Sequence, residues 1–284
     1  KDNAQRGGSS GGRAEHIYIV ESKGTKIQDG MSGLWCCNLG YSQDRIKQAV
    51  AAQLSELPFY NNFFKCSNQP AAELAARLCQ VTPERFQHVF FTNSGSEAND
   101  TQIKFVHRYF DLLGKPEKKL IISRHNAYHG STIGASSLGG MSAMHKQTMG
   151  LDYVYHIQQP HWFEEGADLD PEAFGIAAAR ELEKKIDELG EHRVAAFIAE
   201  PVQGAGGVIV PPESYWPEVF NGAAGGDVHQ ENESGPVPKA GDIPAADHHQ
   251  LCDPRPGPVP DQQGLQLCAV HRLRPGGRRR LYPR

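Results

Sequence analysis

The sequence lacks any run of residues long and apolar enough to cross a bilayer, and it does not open on a signal peptide. Its six cysteines include no C-x-x-C pair and no zinc spacing, which favours reduced thiols over a disulfide or metal framework. The net charge of -4 lacks the basic excess that attracts nucleic acids or anionic membranes. We therefore expect a cytoplasmic globular protein with no metal, nucleic acid or membrane to bind.

Composition divides the chain into three zones. Residues 1–12 are rich in glycine and serine and predict a flexible lead. Residues 13–219 have the hydrophobic patterning of a folded protein. Residues 220–284 contain 9 prolines and 9 glycines but only 11 Leu, Ile, Val and Phe residues. Such a segment buries too little apolar surface to offset its ordering entropy, so we predict a disordered tail.

Strands and helices alternate in the folded zone. Apolar runs predict strands at His88–Thr92, Lys119–Ser123, Tyr153–Ile157 and Val194–Ala199. Helical periodicity predicts helices at Asp44–Leu57, Pro70–Val81, Ser96–Leu113 and Pro171–Leu189. Strands separated by helices of this length form a mostly parallel sheet with helices on both faces, so the fold class is α/β.

Polar or glycine-rich loops follow three of these strands, at residues 93–99, 125–130 and 200–207. Ser94 and Glu97 have capping-box spacing at the start of a helix, whose first N–H groups form an anion site. Taken alone, this motif is an ordinary helix cap, and Tyr128 is an ordinary loop tyrosine. Ligands bind beyond the carboxyl ends of strands in open α/β sheets, so the three loops together predict one pocket.

These loops carry a family resemblance. The segments FFTNSGSEAND (90–100), Tyr128-His129-Gly130 and AEPVQGAGG (199–207) together resemble class III aminotransferases. That family has pyridoxal phosphate (PLP) as its cofactor, the fold type I (aspartate-aminotransferase-like) architecture and usually a homodimeric assembly. The segments DGMSGLWCCNLGYS (29–42) and LPFYNNFF (57–64) resemble its ω-amino-acid or diamine:pyruvate branch.

The resemblance implies a domain plan and a set of site residues. Residues 13–45 would begin the small domain, and residues 46–219 would form the first part of the large PLP-binding domain, leaving the fold incomplete. Trp35, Tyr60 and Phe63 would line the substrate pocket, the last two from either subunit of a dimer. The implied cofactor contacts are Ser94, Gly95 and Ser96 for the phosphate, Tyr128, His129 and Gly130 for the ring face and its loop, and Glu200 for the polar edge of the ring.

Two family residues are not found beyond residue 219. The family needs an aspartate, in an Asp-Glu-Val strand end, beside the pyridine nitrogen, and a Schiff-base lysine that moves the substrate proton. No Asp-Glu-Val occurs in the tail, and its only lysine is Lys239, within Pro238-Lys239-Ala240-Gly241. The abrupt loss of patterning at Phe220 favours the hypothesis of a reading-frame shift.

The resemblance implies a transaminase that moves an amino group from an ω-amino acid or diamine donor to pyruvate, a 2-oxo acid acceptor. The alternative is a catalytically inactive truncated or pseudogene product that at most binds PLP weakly. A PLP aminomutase or decarboxylase of the same fold is disfavoured by the GLWC segment. A nucleotide-binding module is disfavoured because the first loop is not G-x-x-x-x-G-K-[ST].

Overall fold

The computed structural model describes residues 11–62, 64–147, 149–166 and 168–223. These residues form two compact units, one ending at Ala72 and the other beginning at Glu73. The domain division predicted at residue 45 remains a prediction, because compactness alone does not define the domains of the intact fold. No helix in the described part of the chain is long and apolar enough to span a membrane.

The first unit opens with an antiparallel meander of three strands. They are β1 (Gly11–Glu15), β2 (Tyr18–Glu21) and β3 (Lys26–Gln28), hydrogen-bonded in that order. Helix α1 (Asp44–Glu56) follows, with Asp44 in its first turn, where a negative charge opposes the helix dipole. Helix α2 (Gln69–Val81) crosses the division between the units. Both predicted helices are therefore confirmed to within one residue.

The second unit is built on a parallel sheet of three strands. Strand β4 (Leu120–Arg124) lies between β5 (Val154–Ile157) and β6 (Val194–Phe197). Every residue of β4 is buried, as expected for a parallel strand covered on both faces. Because all three strands run the same way, their carboxyl ends meet at one edge.

Helices cover both faces of this sheet, as predicted. One face packs on α3 (Gly95–Leu112) and α4 (Ile133–Leu138), and the other on α7 (Pro171–Leu189) and α8 (Tyr215–Ala223). Strand side chains alternate between faces, so Ile121 belongs to the first core and Ile122 to the second. Two short helices, α5 and α6, lie in the connections at Ser142–His145 and Trp162–Glu165.

The predicted strand at His88–Thr92 is wrong for the described structure. The segment has no strand ladder, and Phe90 and Phe91 are 61% and 41% exposed. Its apolar pattern is that of a strand, but a strand forms only where a neighbour supplies hydrogen bonds. None of the described segments pairs with it, and Phe90 instead lies edge-on against Phe105 of α3.

The zone boundaries also need correction. Gly11 and Gly12 belong to β1, where Gly11 lies opposite Glu21, so the lead is shorter than the predicted 1–12. Residues 220–223 form the last turn of α8, in which the Phe220 ring stacks on Trp216 at 6.0 Å. The rest of the predicted lead and tail, residues 1–10 and 224–284, lies outside the described residues.

The N-cap of helix α7 should contribute to the free energy of unfolding. The Asp170 carboxylate accepts hydrogen bonds from the N–H groups of Glu172 and Ala173, each at 3.1 Å. We expect Asp170→Ala to lower the free energy of unfolding by about 1 kcal/mol. Urea unfolding followed by circular dichroism measures it. Asp187→Ala, at an exposed position inside the same helix, is the control, and an equal loss in both variants would contradict the capping role.

Candidate functional site

The N-terminus of α3 is closed by a modified capping box. Ser94 is extended, and its Oγ accepts a hydrogen bond from Glu97 N at 3.2 Å. The Glu97 carboxylate accepts from Asn93 N at 2.9 Å, rather than from Ser94 as in a standard capping box. The predicted spacing is therefore confirmed. The Glu97 carboxylate also accepts from Asn93 Nδ2 at 3.2 Å, so it is engaged by the residue before the N-cap.

The first two N–H groups of α3 are left for an external acceptor. Within the described residues, no hydrogen bond engages Gly95 N or Ser96 N. A Cβ added at Gly95 would meet nothing within 4 Å, so the space beside this residue is open. Free helix N–H groups and the positive end of the helix dipole bind anions, and phosphate above all.

The loop that carries Tyr128 is attached directly to this N-terminus. Ser131 N donates to Ser96 Oγ at 3.0 Å, and Asn99 Nδ2 donates to the His129 carbonyl at 2.6 Å. Gly130 has a φ of +129°, and a Cβ there would lie 2.3 Å from Ser96 Oγ. Only glycine fits this approach. The predicted phosphate loop and the predicted ring-stacking loop are therefore brought together.

Asp100 strengthens the same attachment one turn further along α3. Its Oδ1 accepts from Thr132 Oγ1 at 3.0 Å and from Ala135 N at 3.1 Å. The carboxylate thus caps α4, in addition to the cap from Thr132 itself. Sequence analysis missed this role, because the link between Asp100 and Thr132 joins two helices that are distant in sequence.

Glu200 joins the second and third loops. Its Oε1 accepts from Tyr128 N at 2.9 Å, and its Oε2 accepts from Gly204 N at 3.0 Å. Both carboxylate oxygens are therefore engaged by backbone donors from different loops. The Tyr128 side chain remains 43% exposed, so its ring is available for stacking while its backbone is held.

Asn126 and Gln203 complete the contact between these two loops. Asn126, with a φ of +58°, donates from Nδ2 to the Gly206 carbonyl at 2.7 Å. A Cβ on Gly206 would lie 2.4 Å from the Asn126 carbonyl oxygen, so the two backbones touch. The buried Gln203 donates to the His125 carbonyl at 3.1 Å. The N-terminus of α3 and the two loops that follow β4 and β6 thus form one hydrogen-bonded rim.

A buried arginine lies beneath this rim. Arg124, the last residue of β4, is fully buried and donates from Nη2 to the Glu200 carbonyl oxygen. Its guanidinium carbon lies 5.7 Å and 5.4 Å from the ring centroids of Tyr215 and Trp216. Burial lowers the pKa of Arg124 from its usual value. Sequence analysis missed it, although a charged residue that ends an apolar strand is an available signal.

His129 is held neutral by its surroundings. Burial, followed by the positive charge of Arg124 and the proximity of His156, lowers its pKa to about 4. Its Nε2 is buried with no hydrogen-bond partner among the described residues. A neutral imidazole next to Tyr128 adds no positive charge to the loop at physiological pH.

Two of the three predicted substrate-pocket residues lie in the first unit. Trp35 and Tyr60, 63% and 47% exposed, lie in the unit that ends at Ala72, so their role remains a prediction. Phe63 and Lys239 lie outside the described residues.

Comparison with known proteins identifies relatives of this arrangement. The model of the aminotransferase class-III family matches residues 10–225. A putrescine–pyruvate aminotransferase of Pseudomonas aeruginosa is 54% identical over 208 residues, which are 73% of this chain and 46% of that protein. A probable γ-aminobutyrate transaminase 2 of Oryza sativa subsp. indica is 45% identical over 210 residues, 73% of this chain and 42% of the relative.

A solved structure of a transaminase is also similar to this chain. The crystal structure of an omega transaminase from Pseudomonas jessenii in complex with PMP superimposes with a TM-score of 0.74 at 41% identity. The match covers 77% of this chain and 49% of that one. The chain therefore spans about half the length of the relatives that it matches.

Glu200 can be tested through the two N–H groups that it accepts. We expect Glu200→Gln to lose one of the two bonds, because an amide offers one acceptor oxygen and one donor nitrogen. The net loss of one hydrogen bond costs about 1 kcal/mol, so amide exchange of Tyr128 or Gly204 should accelerate on the order of fivefold.

Hydrogen exchange measured by NMR gives this rate for each amide. Glu191→Gln is the matched control, since Glu191 is exposed and precedes β6, at the end of the strand away from the loops. Unchanged exchange at both Tyr128 and Gly204 would show that the carboxylate does not hold the rim.

His129 should make stability depend on pH. Its pKa is lowered from 6.5 to about 4 in the folded state, so the unfolded chain binds more protons between these values. Stability should fall as pH decreases through this window, by about 1–3 kcal/mol. His129→Phe removes this contribution and should flatten the profile measured by urea unfolding from pH 7 to pH 4. The exposed His192→Phe is the control, and an equal slope in wild type and His129→Phe would contradict the assignment.

Proposed function

This chain belongs to the class III aminotransferases, a family of pyridoxal-phosphate-dependent enzymes, and on that premise we propose that it transfers an amino group from an ω-amino acid or diamine to pyruvate. Its matched relatives are about twice as long, so the activity, the substrates and the assembly of the whole protein are part of the proposal.

One observation carries the proposal: the loops that follow β4 and β6 are hydrogen-bonded to each other, and the β4 loop is hydrogen-bonded to the N-terminus of α3, so that the three form one rim. Ser96 receives the Tyr128 loop through Ser131 N, and Glu200 joins that loop to Gly204. A phosphate site, an exposed aromatic ring and a carboxylate are thereby held at one edge of a parallel sheet. Such an edge is where open α/β sheets bind their ligands.

The residues of this rim fit pyridoxal phosphate. The open space beside Gly95 and the unengaged N–H groups of Gly95 and Ser96 suit its phosphate. Tyr128 would stack on the pyridine ring, with His129 and Gly130 fixing the loop behind it. When bound, this cofactor supplies an electron sink for negative charge that develops on the substrate carbon.

The roles of Glu200 and Arg124 are then to hold the rim rigid. The Glu200 carboxylate is engaged by Tyr128 N and Gly204 N, so it orients the residue that would stack on the ring. In the proposal Glu200 would also lie near the polar edge of the ring. Arg124 holds the Glu200 backbone from below. A site held to within a fraction of an ångström is what group transfer requires.

Sequence similarity supports the proposed donor class. The relative named as a putrescine–pyruvate aminotransferase is 54% identical, which supports a diamine donor and pyruvate as acceptor. Trp35, Tyr60 and Phe63 are proposed to line the amine pocket, and a homodimer is the proposed assembly. The proposed location is the cytoplasm.

One observation favours a second candidate, a catalytically inactive PLP-binding product. Beyond residue 219 the sequence has no Asp-Glu-Val, and its only lysine is Lys239, within Pro238-Lys239-Ala240-Gly241. A catalytic lysine needs a rigid position, and no strand-like sequence pattern surrounds Lys239.

Incubation of the chain with PLP, putrescine and pyruvate tests the two candidates. The proposed function predicts formation of alanine, and borohydride reduction followed by peptide mapping should find the pyridoxyl group on one lysine. Absence of both products, with PLP still bound, would favour the inactive candidate.

Gly95→Asp is the variant that ties the result to the phosphate site. The new carboxylate has room, and acidic residues suit the first turn of a helix, so the fold should remain stable. Its charge would repel the phosphate, and we expect the PLP dissociation constant to rise on the order of tenfold or more. Gly95→Ala, without the charge, is the matched control in an absorbance titration. Equal PLP affinity in wild type and Gly95→Asp would show that the phosphate does not bind at the N-terminus of α3.

A further inference from the structure

The first unit contains four consecutive residues with a left-handed backbone. Ser32, Gly33, Leu34 and Trp35 have φ values of 52°, 59°, 58° and 70°. Residues other than glycine rarely enter this region, because Cβ comes too close to the following carbonyl oxygen. Three such residues in one turn require strong local support, and strained backbone of this kind is often found at functional sites.

The support comes from Asp29. Its Oδ1 accepts from Met31 N at 2.9 Å, and its Oδ2 accepts from Gly33 N at 2.6 Å. The Tyr41 hydroxyl donates to the same Oδ2 at 2.5 Å. One carboxylate therefore binds the start of the left-handed turn, its interior and the chain that returns after it.

The rest of the turn is closed by main-chain hydrogen bonds and close packing. Trp35 N donates to the Met31 carbonyl at 2.9 Å, and Cys37 N donates to the Ser32 carbonyl at 2.7 Å. A Cβ on Gly33 would lie 3.0 Å from both Cys37 Sγ and Tyr41 Oη. Asp29, Gly33 and Tyr41 thus form one interlocking group, which we call the Asp29 clamp.

The Asp29 carboxylate of the clamp remains ionised at neutral pH. The hydrogen bond from Tyr41, followed by those from Gly33 and Met31, lowers the pKa of Asp29 from its usual value. The same contact raises the pKa of Tyr41 to about 12, so this hydroxyl keeps its proton and continues to donate.

We propose that Asp29 is a positioning residue: by holding the left-handed turn at residues 32–35, it fixes the place of Trp35 and thereby sets which amine donors fit. The inference rests on the proposed function, in which Trp35 lines the amine pocket. Asp29 itself touches no substrate in this proposal and acts only through the backbone of the turn.

Fluorine NMR of the 284-residue chain labelled with 5-fluorotryptophan tests the clamp without any activity. The chain has three tryptophans, so Trp35→Phe assigns the resonance of Trp35. We expect Asp29→Asn to move or broaden the Trp35 resonance while those of Trp162 and Trp216 stay in place. Asp44→Asn, which removes an exposed carboxylate from the same unit, is the control and should leave all three unchanged.

Glycine rescue separates positioning from a general loss of stability. Ser32→Gly removes the strain of one left-handed residue, so we expect Asp29→Asn with Ser32→Gly to restore the Trp35 resonance. An unchanged resonance in Asp29→Asn, or a displaced one that Ser32→Gly does not restore, would overturn the proposal. If Asp29→Asn unfolds and all three resonances move, Tyr41→Phe is the variant to measure, because it removes only one of the three hydrogen bonds to Asp29. A shift of the Trp35 resonance alone in Tyr41→Phe would support the clamp. No shift of the Trp35 resonance would overturn it.

A kinetic measurement connects the clamp with specificity. The ratio of kcat/KM for 1-phenylethylamine to that for propylamine, with pyruvate as acceptor, should change on the order of tenfold in Asp29→Asn. A displaced Trp35 resonance with an unchanged ratio would overturn the role in donor choice. Absence of transamination in the wild-type chain would count against the proposed function, while the NMR result would still decide whether Asp29 positions Trp35.

Discussion

The candidate site depends on one carboxylate that satisfies two backbone donors at once. Glu200 ends an apolar stretch that includes β6, and it accepts from Tyr128 N and Gly204 N. A neutral side chain of the same shape could accept only one of these bonds. The charge of Glu200 therefore has a structural use, since it links two loops through their main-chain N–H groups, beside the contacts made by Asn126 and Gln203. Tyr128 can then present its ring with little loss of freedom on binding, which is the advantage of a preorganised site.

The second constraint is close backbone contact, and glycine provides it. Gly130 against Ser96 and Gly206 against Asn126 leave no room for a Cβ. These contacts bring the two loops onto the end of α3 and onto each other. Beneath them, buried Arg124 places a positive charge under the Glu200 carbonyl. Burial of His129, followed by the charge of Arg124, lowers the pKa of His129. The rim is thus held by short polar links, and the apolar core beneath it supplies the fixed strand ends.

The first unit stabilises an unfavourable backbone by a similar means. Asp29 accepts three donors and holds a left-handed turn that few sequences would adopt. In both units an acidic residue organises a loop through main-chain N–H groups, and the candidate ligand contacts are carried by neighbouring residues. A loss of function on substitution of Asp29 or Glu200 would therefore reflect the altered conformation of the loop as well as the loss of the carboxylate.

The amino-acid sequence by itself determined the four longest helices, the three strands of the parallel sheet and the capped N-terminus of α3, because periodicity and capping act within a few residues. Tertiary structure decided the rest. The apolar segment 88–92 lacks a neighbouring strand among the described residues, and its pattern alone could not show this. Arg124 and Asp100 became part of the site only when the strands aligned. The bond from Tyr128 to Glu200 spans 72 residues, and that from Asn126 to Gly206 spans 80. Such contacts depend on the register of the sheet, which no local pattern encodes.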